Sequence, residues 1–201
     1  MDGLVPGVYQ TRFMDWVDLA DKGQRVLDFG CGDGRYFAYF KRFFEADNIF
    51  GVDVSQTRVD RCRSLGWRNV QRVEPSARLP FPDAWFGFVN FDQVLEHIDA
   101  GEADGRVSEL ARVLRPGGRL IVVTPNYPVK RLYDACRAFG LRDLRKLRDD
   151  PTHVAFYDFD SLQALLSRHF ARVDLRPTGG LLHELLKARC WSHKIIGCCV
   201  R

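Results

Sequence analysis

A strand that stops at an aspartate and runs into three alternating glycines leaves a chain few folds to choose from. Residues 25–37 read RVLDFGCGDGRYF, a short apolar run through Asp28 and Phe29 followed by Gly30, Gly32 and Gly34, with Asp33 between the last two. Glycine takes backbone conformations closed to other residues and lets a ligand lie against bare main chain. Open α/β sheets bind ligands at this place, the carboxyl edge of a strand. The flanking acids then limit the ligand. Like charges a few ångströms apart cost on the order of one to several kcal/mol, so Asp28 and Asp33 oppose a pyrophosphate. The dinucleotide fingerprint also needs a third glycine where Arg35 stands. A cationic ligand suits the loop better.

The rest of the chain repeats the same unit. Short β-rich runs at 25–29, 48–54, 69–73, 85–91 and 119–124 alternate with helix-period segments, the pattern of a doubly wound, Rossmann-like α/β fold with a mainly parallel sheet and helices on both faces. Tyr36, Phe37, Phe40, Phe43 and Phe44 recur at helical spacing, as do Val107, Leu110, Ala111 and Leu114. Pro116 and the following glycines are expected to end that second helix and turn the chain into the next strand. Asp158 or Asp160 is placed to cap a late helix with Phe159, Leu162, Leu165 and Leu166 inward. Runs at 170–177 and 193–201 read as closing strands.

Length and composition narrow the class further. At 201 residues the chain fits one large domain. It has no apolar run of membrane-spanning length and no basic, apolar leader at its start, so a cytoplasmic protein is expected. Six cysteines without a C-x-x-C pair predict reduced thiols rather than a zinc site or a disulfide framework. The net charge of +4 is too small to argue for nucleic acid. Residues 129–148 carry seven Lys/Arg against Asp134 and Asp143, a local excess of five, so the remainder nets minus one.

S-adenosylmethionine carries a sulfonium and an ammonium and has no phosphate, which matches a carboxylate-flanked loop. Asp53 ends the second strand, where a carboxylate can accept both hydroxyls of a ribose. NAD enzymes use that feature too, so Asp53 alone does not discriminate.

With these residues in place, the sequence resembles the class I S-adenosylmethionine-dependent methyltransferases, in particular the small-molecule group that includes ubiquinone-biosynthesis O-methyltransferases. Five segments carry the likeness in the family's order: VLDFGCGDG, GVDVS, residues 78–98 (RLPFPDAWFGFVNFDQVLEHI), residues 110–126 (LARVLRPGGRLIVVTPN) and residues 153–170 (HVAFYDFDSLQALLSRHF). The resemblance implies a seven-stranded sheet with an antiparallel last strand. It also implies one methyltransferase domain over 1–201, with 1–24 as a helical cap and 126–152 as a variable basic amphipathic cap. Asp28, Gly30, Cys31 and Gly32 would contact the methionine moiety, Asp53 the ribose, Val54 the adenine face, and Phe91 the amino group through its carbonyl. Arg12, on the amino-terminal helix, could pair with the methionine carboxylate. Two positions depart from the pattern. Pro75 of EPSA stands in place of an acid that reads adenine, leaving Glu74 or the backbone around Ser76, and Gly87 replaces an aspartate of strand four.

Methyl transfer from a sulfonium is an in-line displacement that needs positioning, exclusion of water and sometimes a base. Glu96 and His97, just past strand four, have the right topology for a base, and His153 could reach the site from the other side. Some relatives associate a Glu-x-x-Glu-His stretch with a divalent metal. Here the first acid is Gln93, a poor ligand for a hard cation, so no metal is expected. Asp33 reads as a helix N-cap and Cys31 as a small loop residue. The expected activity is methylation of a small molecule, at oxygen. Rival readings are a non-catalytic cofactor-binding module, kept open by the missing adenine acid, and an NAD-dependent dehydrogenase. The basic segment 129–148 could also touch a membrane surface, whereas nucleic acid is not expected as a partner.

Overall fold

The computed structural model describes residues 7–127, 129–140, 150–178 and 192–201. Helix α1 (Gly7–Trp16) leads into β1 (Val26–Phe29), α2 (Arg35–Phe40), β2 (Ile49–Asp53), α3 (Gln56–Ser64) and β3 (Val70–Arg72). After these come β4 (Phe86–Asp92), α4 (Ala100–Val113), β5 (Leu114–Pro125), α5 (Val129–Gly140), α6 (Phe159–Leu166), β6 (Arg172–Pro177) and β7 (Lys194–Val200). All seven expected strands are present, in the order β3-β2-β1-β4-β5-β7-β6. β1 to β5 pair in parallel, and β7 runs antiparallel between β5 and β6.

Successive strand residues face opposite sides of a sheet, and this alternation builds two cores. Val26, Phe88 and Ile121 pack with Tyr9 and Phe13 of α1, Phe37 and Phe40 of α2, and Trp67. Their neighbours Leu27, Val89 and Val122 pack on the other face with Val107 and Leu110 of α4 and Leu162 and Leu166 of α6. A sheet covered on both faces explains why its strands read as continuous apolar runs. Phe13 is fully buried, with ring centroids 5.2 Å from Tyr39 and 5.5 Å from Phe88, and so fixes α1 against the sheet. Asp158 caps α6 as expected, in a reciprocal box with Ser161.

Two local expectations are corrected. The segment Arg115–Gly118 is not the turn between α4 and β5, because β5 already begins at Leu114, which pairs with Phe86. The next pair is Phe88 with Arg119, so the segment bulges out of the strand. Gly117 accommodates the bulge at φ 73° and donates to the Arg201 carbonyl, while the Arg201 N–H returns to Gly118. Asp33 is likewise not an N-cap. Gly34, left-handed at φ 78°, occupies that position without a side-chain bond, and Asp33 points out to Arg61 at 3.4 Å.

Among the described residues no helix is long and apolar enough to cross a membrane. Of the basic segment, 129–140 forms α5, where Lys130 pairs with Asp134 at 2.6 Å and Leu132 is exposed. Residues 141–149 lie outside the described set.

Candidate active site

The glycine loop is stitched to β2 by its own backbone. The N–H groups of Gly30 and Cys31 both donate to the Val52 carbonyl, at 2.8 and 3.0 Å. Gly32 N–H donates to Asp53 Oδ2 at 2.9 Å, and Ser55 N–H to Oδ1 at 2.9 Å. The glycines serve different needs. A Cβ on Gly30 would lie 2.3 Å from Val94, whereas one on Gly32 would meet nothing within 4 Å. The main chain is therefore bare and open at Gly32. Asp53, almost fully buried, keeps one lone pair per oxygen beyond these bonds, and next to it Val54 presents an exposed apolar face. Cys31 is a buried free thiol. The Phe91 side chain is fully buried, 5.4 Å from the Phe29 ring, which leaves only its main chain for a ligand.

Asp28 carries the largest electrostatic tension. It is 2% exposed, and its Oδ1 accepts from Asn90 Nδ2 at 2.7 Å, while Asn90 Oδ1 in turn accepts from the Tyr9 hydroxyl at 2.7 Å. Its Oδ2 is buried with no partner among the described residues. Burial pushes this carboxyl up to about 7, against the opposing bond from Asn90. A cation placed against Oδ2 would supply the missing interaction, so the donor set fits the ammonium of S-adenosylmethionine and does not fit a phosphate. Asn90 escaped the sequence reading, although a lone amide inside the apolar run WFGFVNF is the signal that marks it.

Beside the loop, over the carboxyl ends of β4 and β5, opens a cleft of about 480 Å³. Tyr9 of α1 and Arg35 and Tyr36 of α2 form one wall, Asp92, Gln93 and Val123 the floor, and Lys194 and Ile196 the far side. Asp92 Oδ2 accepts from the Tyr36 hydroxyl at 2.6 Å and from Arg35 at 2.8 Å. Burial raises its carboxyl, with those two partners opposing. Gln93 sits at φ 56°, uncommon for a residue with a side chain and characteristic of functional turns. Sequence reasoning closed strand four one residue early and so missed Asp92.

The three catalytic candidates converge. Glu96, His97 and His153 each bring a ligating atom within 4.8 Å of the others. His153 thus joins Glu96 and His97 in the group. Glu96 is 1% exposed: its Oε2 accepts from the Thr124 hydroxyl at 3.2 Å, and its Oε1 has no partner among the described residues. Burial pushes it up to about 7. His97 Nδ1 lies 3.0 Å from the Thr152 carbonyl, His153 Nδ1 lies 2.7 Å from the Tyr127 hydroxyl, and the two rings stand edge to face at 4.8 Å. The cluster adjoins the cleft through Val123 and Thr124 and does not line it.

Two other expectations meet a different arrangement. Arg12 pairs with Asp15 at 3.4 Å and is not part of the cleft lining, where Arg35 and Lys194 are the cations. Its helix turns Tyr9 and Phe13 inward instead. In the loop after β3, Ser76 donates to Glu102 at 2.9 Å and Glu74 pairs with Arg72 at 2.8 Å. The carbonyls of Pro75 and Ala77 both accept from the buried Arg106. Gly87 gives its space to Gln24, whose Oε1 would stand 2.4 Å from a Cβ there.

Comparison with known proteins settles the family question. Residues 27–122, from β1 to β5, match the family described as "Methyltransferase domain". This segment is a class I methyltransferase domain. Among curated relatives, the domain is similar to the ubiquinone/menaquinone biosynthesis C-methyltransferase UbiE of Vibrio vulnificus, 35% identical over 127 residues, 58% of this chain and 48% of that protein. The protein of the same name from Psychromonas ingrahamii is 34% identical over 146 residues, 66% of this chain and 57% of its own. The chain thus spans about half the length of the curated relatives it matches. In fold it is similar to a SAM-dependent methyltransferase from Archaeoglobus fulgidus, with a TM-score of 0.70 at 18% identity over 95% of this chain and 90% of that one.

Proposed function

We propose that the protein transfers a methyl group from S-adenosylmethionine to a small-molecule acceptor, at an oxygen atom. The observation that carries this reading is the buried Asp28 Oδ2, without a partner among the described residues, on the strand that leads into the open main chain of Gly32. The cofactor supplies a methyl group activated on a sulfonium. On the protein's side, Asp28 meets the ammonium, Asp53 accepts from the ribose hydroxyls, Val54 covers the adenine face, and the Phe91 carbonyl accepts from the amino group. Arg35 and Tyr36 hold Asp92 in place, and the aromatic wall of the cleft keeps water from the reacting atoms. Held by these residues, the cofactor would give its methyl group to the acceptor oxygen and be left as a neutral thioether. A carbon acceptor is a second reading, favoured by the C-methyltransferase names of the curated relatives. Carbon-13 NMR of the product separates O-methyl from C-methyl.

The acceptor's proton goes to His97, exposed beside the cleft and held by the Thr152 carbonyl, which an acceptor meets where it extends past Val123 toward Glu96 and His153. The rival base is Asp92, favoured because it lines the cleft. General-base catalysis contributes about 10²–10⁴-fold, so His97→Ala is expected to lower kcat about 100-fold with an unchanged Kd for S-adenosylhomocysteine. An unchanged kcat in that variant, with the same loss appearing in Asp92→Asn, transfers the role to Asp92.

A further inference from the structure

The cleft is charge-unbalanced in a way that methyl transfer does not need. Asp92 and Arg35 neutralise each other at 2.8 Å. Lys194, half-buried on the far side, makes no side-chain hydrogen bond or close ion pair among the described residues, though its charge acts at longer range on Asp92 and Glu96. The cleft therefore holds one formal positive charge in surplus, within a wall that includes Val123, Ile196 and the rings of Tyr9 and Tyr36. Polar groups line the cleft too, among them Gln93, Thr178 and His193, and a half-buried ammonium there gains most from an anion that is itself taken out of water.

Sheet topology decides which ligand brings that anion. Adjacent strands lie about 4.8 Å apart. The glycine loop follows β1, and Lys194 opens β7, three strands away in the order β1-β4-β5-β7. That is roughly 14 Å at the backbone. The ribose carboxylate Asp53, on β2, is one strand further off on the opposite side. A cofactor laid from β2 across β1 to β4 keeps its methionine carboxylate away from β7, whereas an acceptor over β4 and β5 reaches it. Asp92 ends β4, two strands from Lys194, or about 10 Å.

We infer that Lys194 is the specificity residue of the acceptor site and that the acceptor is an elongated, largely apolar molecule with a carboxylate at the end remote from the methylated atom. This rests on the methyltransferase reading above. The probes are 3-(4-hydroxyphenyl)propionate and its primary amide, equal in shape and in acceptor hydroxyl. Each is titrated into the full chain saturated with S-adenosylhomocysteine. The acid should bind at least tenfold more tightly than the amide. Lys194→Met should erase that preference, Lys194→Arg should keep most of it, and both variants should hold S-adenosylhomocysteine with unchanged Kd. Equal binding of acid and amide, or failure of both to bind, overturns the inference. A Kd for S-adenosylhomocysteine that rises in Lys194→Met while the acid preference persists overturns it too, by assigning the ammonium to the cofactor. If S-adenosylhomocysteine itself does not bind the unmodified chain, the methyltransferase reading fails instead.

Discussion

Asp53→Ala is expected to weaken S-adenosylhomocysteine binding by roughly 100-fold or more. Hydrogen bonds to a charged group are worth about 1.5–3 kcal/mol each, and two ribose hydroxyls lose theirs. At about 1.4 kcal/mol per decade, losing both corresponds to 100-fold or more in Kd. The same substitution strips the Gly32 and Ser55 N–H groups of their acceptor, so the loop that carries the cofactor loosens as well. Asp53→Asn separates the two effects, because its amide oxygen can still accept one of the backbone bonds. Its loss should be smaller and should fall mainly on ribose recognition. Calorimetric titration of both variants measures this. A 2′,3′-dideoxy analogue that binds the unmodified protein as tightly as S-adenosylhomocysteine would remove the ribose role of Asp53.

Asp28→Asn should move stability and affinity in opposite directions. Burial pushes the carboxyl up to about 7 in the folded protein, against 3.8 ordinarily. Between those values the folded chain keeps a proton that the unfolded chain has released. Stability is therefore highest at acid pH and falls as pH rises toward 7, by an amount on the order of 4 kcal/mol for a shift of this size. Glu96, also pushed up to about 7 by burial, contributes a slope of the same sign. Removing the Asp28 charge should raise the melting temperature of the ligand-free protein at pH 8 by several degrees and leave the Glu96 share of the slope. The same change removes the ammonium's partner. Affinity for S-adenosylhomocysteine should then fall about 10–100-fold at pH 8, and its rise between pH 6 and pH 8 in the unmodified protein should flatten. Thermal melts and titrations at both pH values read this out. A variant destabilised at pH 8, with unchanged affinity, would mean that Asp28 is an ordinary buried hydrogen-bonding residue.

What the sequence made legible follows from how far each signal reaches along the chain. Strands buried on both faces are local apolar runs, so the central strands could be placed by reading neighbours, as Leu27 beside Val26 and Val89 beside Phe88 illustrate. The glycine loop and Asp53 were legible for a similar reason: each sits at the end of a strand and the topology does the rest. Contacts between distant segments were not legible. Nothing near Asn90 announces that it bridges Asp28 to Tyr9, and although His153 was expected to reach the site, nothing near it fixes its distance from Glu96 and His97. Arg12 shows the converse. Helical spacing puts it on the right helix, but its direction is decided by Phe13, which buries the neighbouring face. Asp33 was misread because a left-handed glycine can open a helix without any side-chain cap. The cleft floor at Asp92 depends on where a strand stops, and strand ends are the least determined feature of an apolar pattern.

In the site proposed for this protein, cofactor choice turns on a buried carboxylate and a glycine loop that admits a cation and repels a diphosphate. Isothermal titration of the full chain at pH 8 with S-adenosylhomocysteine and, separately, with NAD puts that claim to the most direct trial. Saturable one-to-one binding of S-adenosylhomocysteine, with no heat from NAD, is the predicted result. Saturable binding of NAD with no response to S-adenosylhomocysteine would contradict it.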